Sequence, residues 1–281
     1  MDVSLCAPAL LLTLVSATGL LGQTGPRDVI RRAVAAEARN WNVARNYAFS
    51  ERVSLRYLDS QGRVRSQEVR ILDVAMVDGS PYRRLVARND RPLPPTEERK
   101  EQEKLASSIA ERQDETTAQR ARRMAEYDRR PEWQREAWGE LAEAFDFRMA
   151  ADQVRDGATL YVIDATPRQG YQPASRTAKL LAHLKARLWV DKQDYRLVKA
   201  EAEVVDTITV GLFLVRVAKG SRATFEQTRV NDEVWLPSKV RASVSARLGL
   251  LKVLRIEQEI TYSNGRGFHT DSPVVSQLKA R

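Results

Sequence analysis

The most constraining feature of this sequence is a strict two-residue alternation near its C-terminal end. Between residues 239 and 248 every second side chain is apolar and the others are polar or basic, without an exception. The apolar positions are Val240, Ala242, Val244, Ala246 and Leu248, and they alternate with Lys239, Arg241, Ser243, Ser245 and Arg247. Because successive side chains of a strand point to opposite faces, this pattern predicts a β-strand with one buried face and one wet face. Such strands are typical of antiparallel sheets.

Similar segments recur along the chain and are separated by short turn signals. Tyr47–Leu58 is followed by the turn Asp59–Gly62, and Val64–Val77 by the turn Asp78–Pro81, before a third strand at Tyr82–Ala87. These three strands predict an antiparallel meander. Further strands are expected at 145–149, 159–165, 187–191, 196–205, 208–217, 223–230, 234–236 and 251–262.

A single sheet of about ten or eleven strands must curl, and its apolar face must be covered. We therefore expect an α+β fold, in which a curved antiparallel sheet forms an open half-barrel covered by helices.

Two regions carry helical patterns. Pro26–Arg39 places apolar residues at helical spacing and predicts a first helix. After several prolines, Thr96 occupies the position of an N-cap and is followed by acidic residues. Residues 97–130 contain 18 charged side chains, nine of each sign, which predicts one long solvated helix stabilised by ion pairs between successive turns. With a second helix at Glu132–Ala144, this region forms a helical insertion at about 96–144.

The N-terminal segment has the pattern of an export signal. Residues 7–21 contain no charge and consist mainly of leucine and alanine, which suits the core of a signal peptide and is short for a membrane span. We expect residues 1–22 to be removed by cleavage near residues 17–23. An uncleaved membrane anchor and a buried N-terminal helix are the alternatives. The remaining chain would form one domain at 23–265, followed by a flexible tail at 266–281.

The inventory of reactive side chains is small. The chain has two His and one Cys among 281 residues, which excludes cysteine-rich zinc modules and disfavours metal sites or catalytic triads built on histidine. Cys6 precedes the apolar run, which does not fit a lipoprotein signal. No Walker loop, HExxH motif or GxSxG motif occurs. We therefore predict a non-enzymatic protein with no catalytic residues, no cofactor and no metal.

The chain is basic, with 46 Lys and Arg against 37 Asp and Glu and a formal net charge of +9. The excess lies outside the charge-balanced segment 97–130, in arginine-rich strands and near the C-terminal end. Nucleic acid is not an expected partner of an exported protein. An anionic membrane surface or an acidic envelope polymer is the physical candidate. The alternative is that these charges only keep the sheet soluble and protect its edges.

Two hairpin motifs resemble a known family. The segment Arg187–Asp191 (RLWVD) is followed after a short turn by Leu197–Glu201 (LVKAE), and Val234–Ser238 (VWLPS) precedes the long alternating strand. This pattern resembles the hairpins of periplasmic lipoprotein-sorting proteins of the LolA/LolB/RseB-like superfamily. The resemblance implies an eleven-stranded half-barrel with a helical lid and an apolar cavity that holds acyl chains. The charged segment 97–130 is longer than the helices of a minimal carrier of that type.

Four aromatic residues are candidates for lining such a cavity, namely Tyr161, Trp189, Phe213 and Trp235. Ordinary core packing is the alternative for each of them. The resemblance implies a non-enzymatic periplasmic carrier that binds a lipid or a lipoprotein acyl chain. The alternative is an envelope sensor or protein-interaction module of the same fold, which binds an envelope protein through a sheet edge. An envelope hydrolase is the least favoured hypothesis, because a nucleophile with a matching base is missing.

Overall fold

The computed structural model describes residues 24–45, 47–129, 139–210, 215–249 and 252–267. Within these residues it contains one sheet of 14 strands and a few helices. The helices are α1 (Pro26–Ala44), α2 (Pro95–Gln113) and α3 (Thr117–Arg129), with short helical segments at 139–144 and Arg176–Leu181. The strands are β1 (Tyr47–Leu58), β2 (Val64–Val77), β3 (Ser80–Arg88), β4 (Arg91–Pro92), β5 (Phe145–Met149), β6 (Gln153–Arg155), β7 (Ala158–Pro167), β8 (Leu184–Asp191), β9 (Leu197–Val204), β10 (Ile208–Val210), β11 (Val215–Val217), β12 (Arg222–Val230), β13 (Val234–Leu248) and β14 (Lys252–Gly267).

Eleven of the strands form a continuous path across the sheet, in the order β4-β3-β2-β1-β14-β13-β12-β9-β8-β7-β5. Strand β6 is attached to β7, and the hairpin of β10 and β11 is attached to β13. Strands β1 and β14 pair with each other, so the two ends of the domain meet inside the sheet. The sheet is antiparallel, curved and unclosed, which confirms the predicted α+β open half-barrel of about ten or eleven strands.

The strand register sorts the side chains onto a polar face and an apolar face. On the polar face, neighbouring strands place opposite charges beside each other. The ion pairs are Arg148–Asp164, Arg187–Asp164, Lys185–Glu203, Arg222–Glu203, Arg241–Glu259 and Arg56–Glu257, with N–O distances of 2.6 to 3.4 Å. Exposed pairs of this kind contribute only about 0–1 kcal/mol each, but a slip of one residue would break all of them. They therefore favour the observed register. A groove of about 760 Å³ lies between these charged side chains, and its lining also includes Ala165, Ala186, Ala202 and Ala223.

Helix α1 packs on the apolar face and extends beyond its predicted end, to Ala44. Its buried side chains lie against strands β7 to β9, in a cluster of Val29, Ile30, Ala33, Ile163, Leu188, Val190 and Leu197. Asn40, 7% exposed, donates from Nδ2 to the carbonyl of Trp235 at 2.6 Å and accepts from the backbone N–H of Trp235 at 2.9 Å. This asparagine satisfies two backbone groups of β13 and fixes the helix to the sheet.

The charged insertion contains two helices, so the prediction of one helix over 97–130 is wrong in this detail. Helix α2 ends at Gln113 and α3 begins at Thr117. Between them, Thr116 Oγ1 accepts from the backbone N–H of Gln119 at 3.3 Å, and Gln119 Oε1 accepts from the backbone N–H of Thr116 at 2.8 Å. This reciprocal pair is a capping box, which starts a new helix at this point.

Both helices of the insertion attach to the tip of the β2–β3 hairpin. Arg112 of α2 donates to two backbone carbonyls of the hairpin, and Arg123 of α3 donates to the carbonyl of Asp78 at 3.1 Å. The turn has positive φ at Asp78 (43°) and at Gly79 (85°), as a type I′ turn requires. A Cβ at residue 79 would lie 3.2 Å from Met124 Sδ, so glycine also permits the contact with α3.

Two strand predictions differ from the structure. The segment 208–217 is not one strand, because β10 and β11 form an antiparallel hairpin. The predicted strands 234–236 and 239–248 are joined into β13, which continues through Pro237 beside a register shift that leaves Ser238 of β13 as the extra residue. Proline is tolerated there because such irregularities remove the need for a ladder hydrogen bond.

The other predicted boundaries, those of the domain, the signal peptide, the second inserted helix and the tail, lie near or beyond the ends of the described segments. Strand β14 extends to Gly267, two residues beyond the predicted domain end at 265. The predicted signal peptide at 1–22, the helix from Glu132 up to residue 138 and most of the predicted tail lie outside the described residues. In the part of the chain that is described, no helix is both long and apolar enough to span a membrane.

Candidate functional site

A row of small residues crosses the apolar face of the sheet. Five adjacent strands, β7, β8, β9, β12 and β13, each place an alanine directly opposite the alanine of the next strand. The row consists of Ala165, Ala186, Ala202, Ala223 and Ala242. With neighbouring strands about 4.8 Å apart, the row is about 19 Å long. We call it the alanine row.

Larger apolar side chains border the alanine row on both sides. Two residues further along the strands on one side, the register aligns Ile163, Leu188, Phe225, Val240, Ile260 and Val53, with the smaller Ala200 between Leu188 and Phe225. On the other side it aligns Leu184 with Val204 and Val244 with Ile256 and Tyr57. Because a methyl group projects much less than these side chains, the alanine row is the floor of a trough that runs across the strands.

The trough is closed at one end and accessible in the middle. Ala165 is 1% exposed, in a cluster with Phe145 and Ala144. Ala223 is exposed although it lies on a central strand, and Ala202 and Ala242 are half-buried. Helix α1 packs against the β7–β9 side of this face, so it covers the row only in part. The large residues of the central strands that border the row are likewise half-buried, including Phe225, Val240, Val244, Ile256 and Ile260.

Polar groups lie beyond the open part of the trough. Ala242 is opposite Gln258 of β14, which continues the row toward β1. Further along β1 on the same face, the buried Glu51 pairs with Arg83. Burial raises the pKa of the Glu51 carboxyl, and the charge of Arg83 opposes that rise. Burial and the nearby Glu51 charge raise the pKa of Tyr262, the residue opposite Glu51, to about 12. This face is therefore apolar along the trough and polar at one border.

The structure places two of the predicted aromatic residues on opposite faces. Tyr161 is opposite Val190 on the α1 side of the sheet and stacks on Tyr195, with ring centroids 6.2 Å apart. Trp189 is opposite Val162 on the other face and is 8% exposed. Its Nε1 donates to Gln153 at 2.8 Å, and it packs in a core cluster of its own. Tyr161 and Trp189 therefore cannot line one common surface.

Of the other two predicted residues, only Trp235 lies in the described part of the chain. Trp235 is half-buried, and its Nε1 donates to Asp194 Oδ2 at 3.0 Å, near the end of α1. Phe213 lies outside the described residues. A ligand contact of any of the four residues stays a prediction. Sequence reasoning did not identify the alanine row, although each of its members stands between two polar or charged residues, as in Lys185-Ala186-Arg187 and Glu201-Ala202-Glu203.

A half-buried carboxyl group of α1 lies away from the trough. Glu37 accepts a hydrogen bond from Gln227 at 3.1 Å, and Arg196 donates to the carbonyl of Ala36 beside it. Burial raises the pKa of Glu37, while Gln227 and Arg196 act in the opposite direction. Among the residues that the structure describes, no group of three or more His, Cys, Asp or Glu side chains is placed to hold a metal ion.

No family model matches the sequence, and no curated protein matches it either. Solved structures do resemble the fold. One is a domain described as an outer membrane lipoprotein-sorting protein from Vibrio parahaemolyticus, with 14% identity over 89% of this chain and 97% of that chain and a TM-score of 0.36. Another is a LolA superfamily protein from Nitrosomonas europaea, with 10% identity over 87% and 94% of the two chains and a TM-score of 0.33.

A third similar structure is the MucA/MucB complex of Pseudomonas aeruginosa, with 11% identity over 87% of this chain and 99% of that chain and a TM-score of 0.25. The similarity spans most of each chain, but at these identities and scores it concerns the general fold alone. The first two of these structures are described by names from the group of proteins whose hairpins the sequence motifs resemble.

Proposed function

We propose that this protein is a non-enzymatic carrier that binds the acyl chain of a lipid or lipoprotein in the trough above the alanine row. The observation that carries this proposal is the exposure of Ala223 in the centre of the otherwise apolar face. A central strand normally buries such a residue under a helix or a second sheet. An accessible apolar floor with apolar borders is instead the expected surface for an apolar ligand.

The shape of the trough favours a long, narrow ligand. Its floor is one residue wide and spans five strands, or about 19 Å. The bordering residues, such as Phe225, Val240 and Ile256, are half-buried and gain further burial when a chain lies between them. Burial of apolar surface contributes about 25 cal/mol per Å², so contacts along such a floor add up to useful affinity. The polar border at Gln258 provides a place for the ester or headgroup end.

We place this function in the periplasm, because the N-terminal pattern predicts export. In that compartment acyl chains of lipids and lipoproteins have to cross an aqueous layer, and a protein with an apolar trough would shield them from water. Transport between membranes is the role that fits a trough without catalytic groups.

The trough can be tested with an environment-sensitive fluorescent fatty acid. We expect the protein to bind this probe saturably and Ala242→Phe, which fills the floor, to weaken binding by about tenfold, equivalent to about 1.4 kcal/mol. Ser243→Phe is the matched control, because Ser243 is the next residue of β13, lies on the polar face and is exposed. It should bind the probe like the unmodified protein.

Two results would contradict the proposal. One is the lack of saturable binding of the probe by the folded protein. The other is equal binding by Ala242→Phe and Ser243→Phe, which would place the probe somewhere other than the trough.

A further inference from the structure

A cluster of three arginines lies at one end of the polar face, on the side opposite the alanine row. Arg216 of β11 is directly opposite Arg247 of β13, and Arg255 of β14 is opposite Ser245, two residues from Arg247. Like charges in directly opposed positions of a sheet are destabilising. This arrangement contrasts with the rest of the polar face, where the register places arginines beside acids.

The three arginines surround a pocket of about 450 Å³. The hydroxyl-bearing residues Thr207 and Ser245 also line it, and none of the described residues in its lining carries a carboxylate. The pocket therefore presents guanidinium and hydroxyl groups, which are hydrogen-bond donors, without an internal counter-ion.

Two carboxylates of neighbouring segments belong to other pairs. Glu257, which lies two residues from Arg255 on β14, pairs with Arg56 at 3.3 Å. Asp59 pairs with Arg63 at 2.9 Å, while Arg255 donates to the Asp59 backbone carbonyl at 3.5 Å and its charge helps to lower the pKa of the Asp59 carboxyl. Across the described part of the chain, no ion pair within 4.0 Å involves any of the three pocket arginines.

We propose that this pocket binds a phosphate-bearing anion, with Arg216, Arg247 and Arg255 as its donors. Guanidinium groups match the oxygens of phosphate through paired N–H donors and keep their charge at all relevant pH values. A bound phosphate would also neutralise the repulsion between Arg216 and Arg247. The phosphate can come from a lipid headgroup or from a soluble phosphate compound. Val253, opposite Arg247 on β14 and 48% exposed, supplies an apolar contact beside the pocket.

This proposal is independent of the acyl-chain trough, because the three arginines lie on the face of the sheet opposite the alanine row. The test compares the unmodified protein with the double variant Arg216→Gln/Arg247→Gln. The matched control is Arg241→Gln, which removes one charge from the same strand and face but from a residue that pairs with Glu259 at 2.6 Å.

The first arm measures thermal stability with and without inorganic phosphate. A ligand that binds the folded state raises Tm. We expect phosphate to raise the Tm of the unmodified protein and of Arg241→Gln, and to leave the double variant unchanged. Sodium chloride of equal ionic strength controls for screening.

The second arm measures sedimentation with vesicles of phosphatidylcholine, with and without phosphatidylglycerol. Each arginine is expected to supply charge-assisted hydrogen bonds to the phosphate, so we expect each lost arginine to weaken binding by about tenfold or more. Binding only to phosphatidylglycerol vesicles, lost in the double variant, identifies the headgroup as the source. A Tm response to phosphate without vesicle binding identifies a soluble phosphate compound. No response in either arm, or equal responses of the double variant and the unmodified protein, would overturn the proposal.

Discussion

The alanine row allows a test in which the same substitution is made at two positions of one row. Ala165 is 1% exposed beneath Phe145, whereas Ala223 is exposed on the same face, three strands away. If the trough is closed at β7 and open at β12, Ala165→Phe must force a large ring into filled space. Ala223→Phe would place the same ring into accessible space.

The expected magnitudes differ enough to be measured. Overpacking of a filled site costs about 1–3 kcal/mol. A substitution at an accessible site changes the free energy of unfolding by about 0.5 kcal/mol or less. For a domain of this size each kcal/mol corresponds to about 2–4 °C in Tm. We therefore expect Ala165→Phe to lower Tm by about 2–12 °C and Ala223→Phe by about 2 °C at most.

Urea unfolding followed by circular dichroism gives the free energies, and the midpoint is the quantity to compare because it requires no extrapolation. The reasoning is refuted if both variants lose the same stability, or if Ala223→Phe loses more. Either result would mean that the centre of the apolar face is filled and that no trough exists.

Three further substitutions test the account of the fold, and one experiment tests the export prediction. Hydrogen bonds from arginine lower the pKa of Asp164, so its ionised form stabilises the fold above pH ~4. The unmodified protein should lose this contribution, up to about 1 kcal/mol, as the pH falls through the lowered pKa, and Asp164→Asn should lack it at every pH. Burial raises the pKa of Glu37, so its ionised form lowers the stability of the fold. Near pH ~7 the variant Glu37→Gln should therefore be more stable than the unmodified protein, and this difference in stability should shrink as the pH falls through the raised pKa. Asn40→Ala leaves two backbone groups of Trp235 unpaired and should cost about 2–4 kcal/mol in urea unfolding, whereas a loss below about 1 kcal/mol would mean that water replaces the asparagine. N-terminal sequencing of the exported protein should give a start within residues 17–23, and an intact N-terminus would contradict the predicted cleavage.

Sequence patterns predict the positions of the strands well, but they predict less well which strands pair with each other. The bounds of β1 and β2, Tyr47–Leu58 and Val64–Val77, follow from alternation and from turn residues, which are local signals. The pairing of β1 with β14 does not follow, because it depends on residues about 200 positions apart in the chain. No local pattern determines such a contact.

The errors also have local physical causes. The break between α2 and α3 has a sequence signal, Thr116-Thr117-Ala118-Gln119, which charge counting does not detect. The hairpin of β10 and β11 is hidden because the stretch Gly211-Leu212-Phe213-Leu214-Val215 is apolar on both faces, so alternation gives no sign of a turn. A helix cap or a hairpin can thus be missed when only composition and periodicity are considered.

A ligand contact of the four aromatic residues named from the sequence stays a prediction. In the structure Trp189 packs in a separate core cluster, and the indole of Trp235 donates to Asp194. The trough depends instead on small residues such as Ala202 and Ala223, which become a continuous floor only when five strands are in register. A row across strands is visible in a structure and has no counterpart along the sequence.

The most direct test of the carrier function is mass spectrometry of lipids extracted from the protein after purification from a periplasmic fraction. The account predicts that an acylated lipid accompanies the unmodified protein and Ser243→Phe in near-stoichiometric amount, and that Ala242→Phe loses it. Recovery of the unmodified protein without any acylated compound, or with the same amount in both variants, would contradict the account.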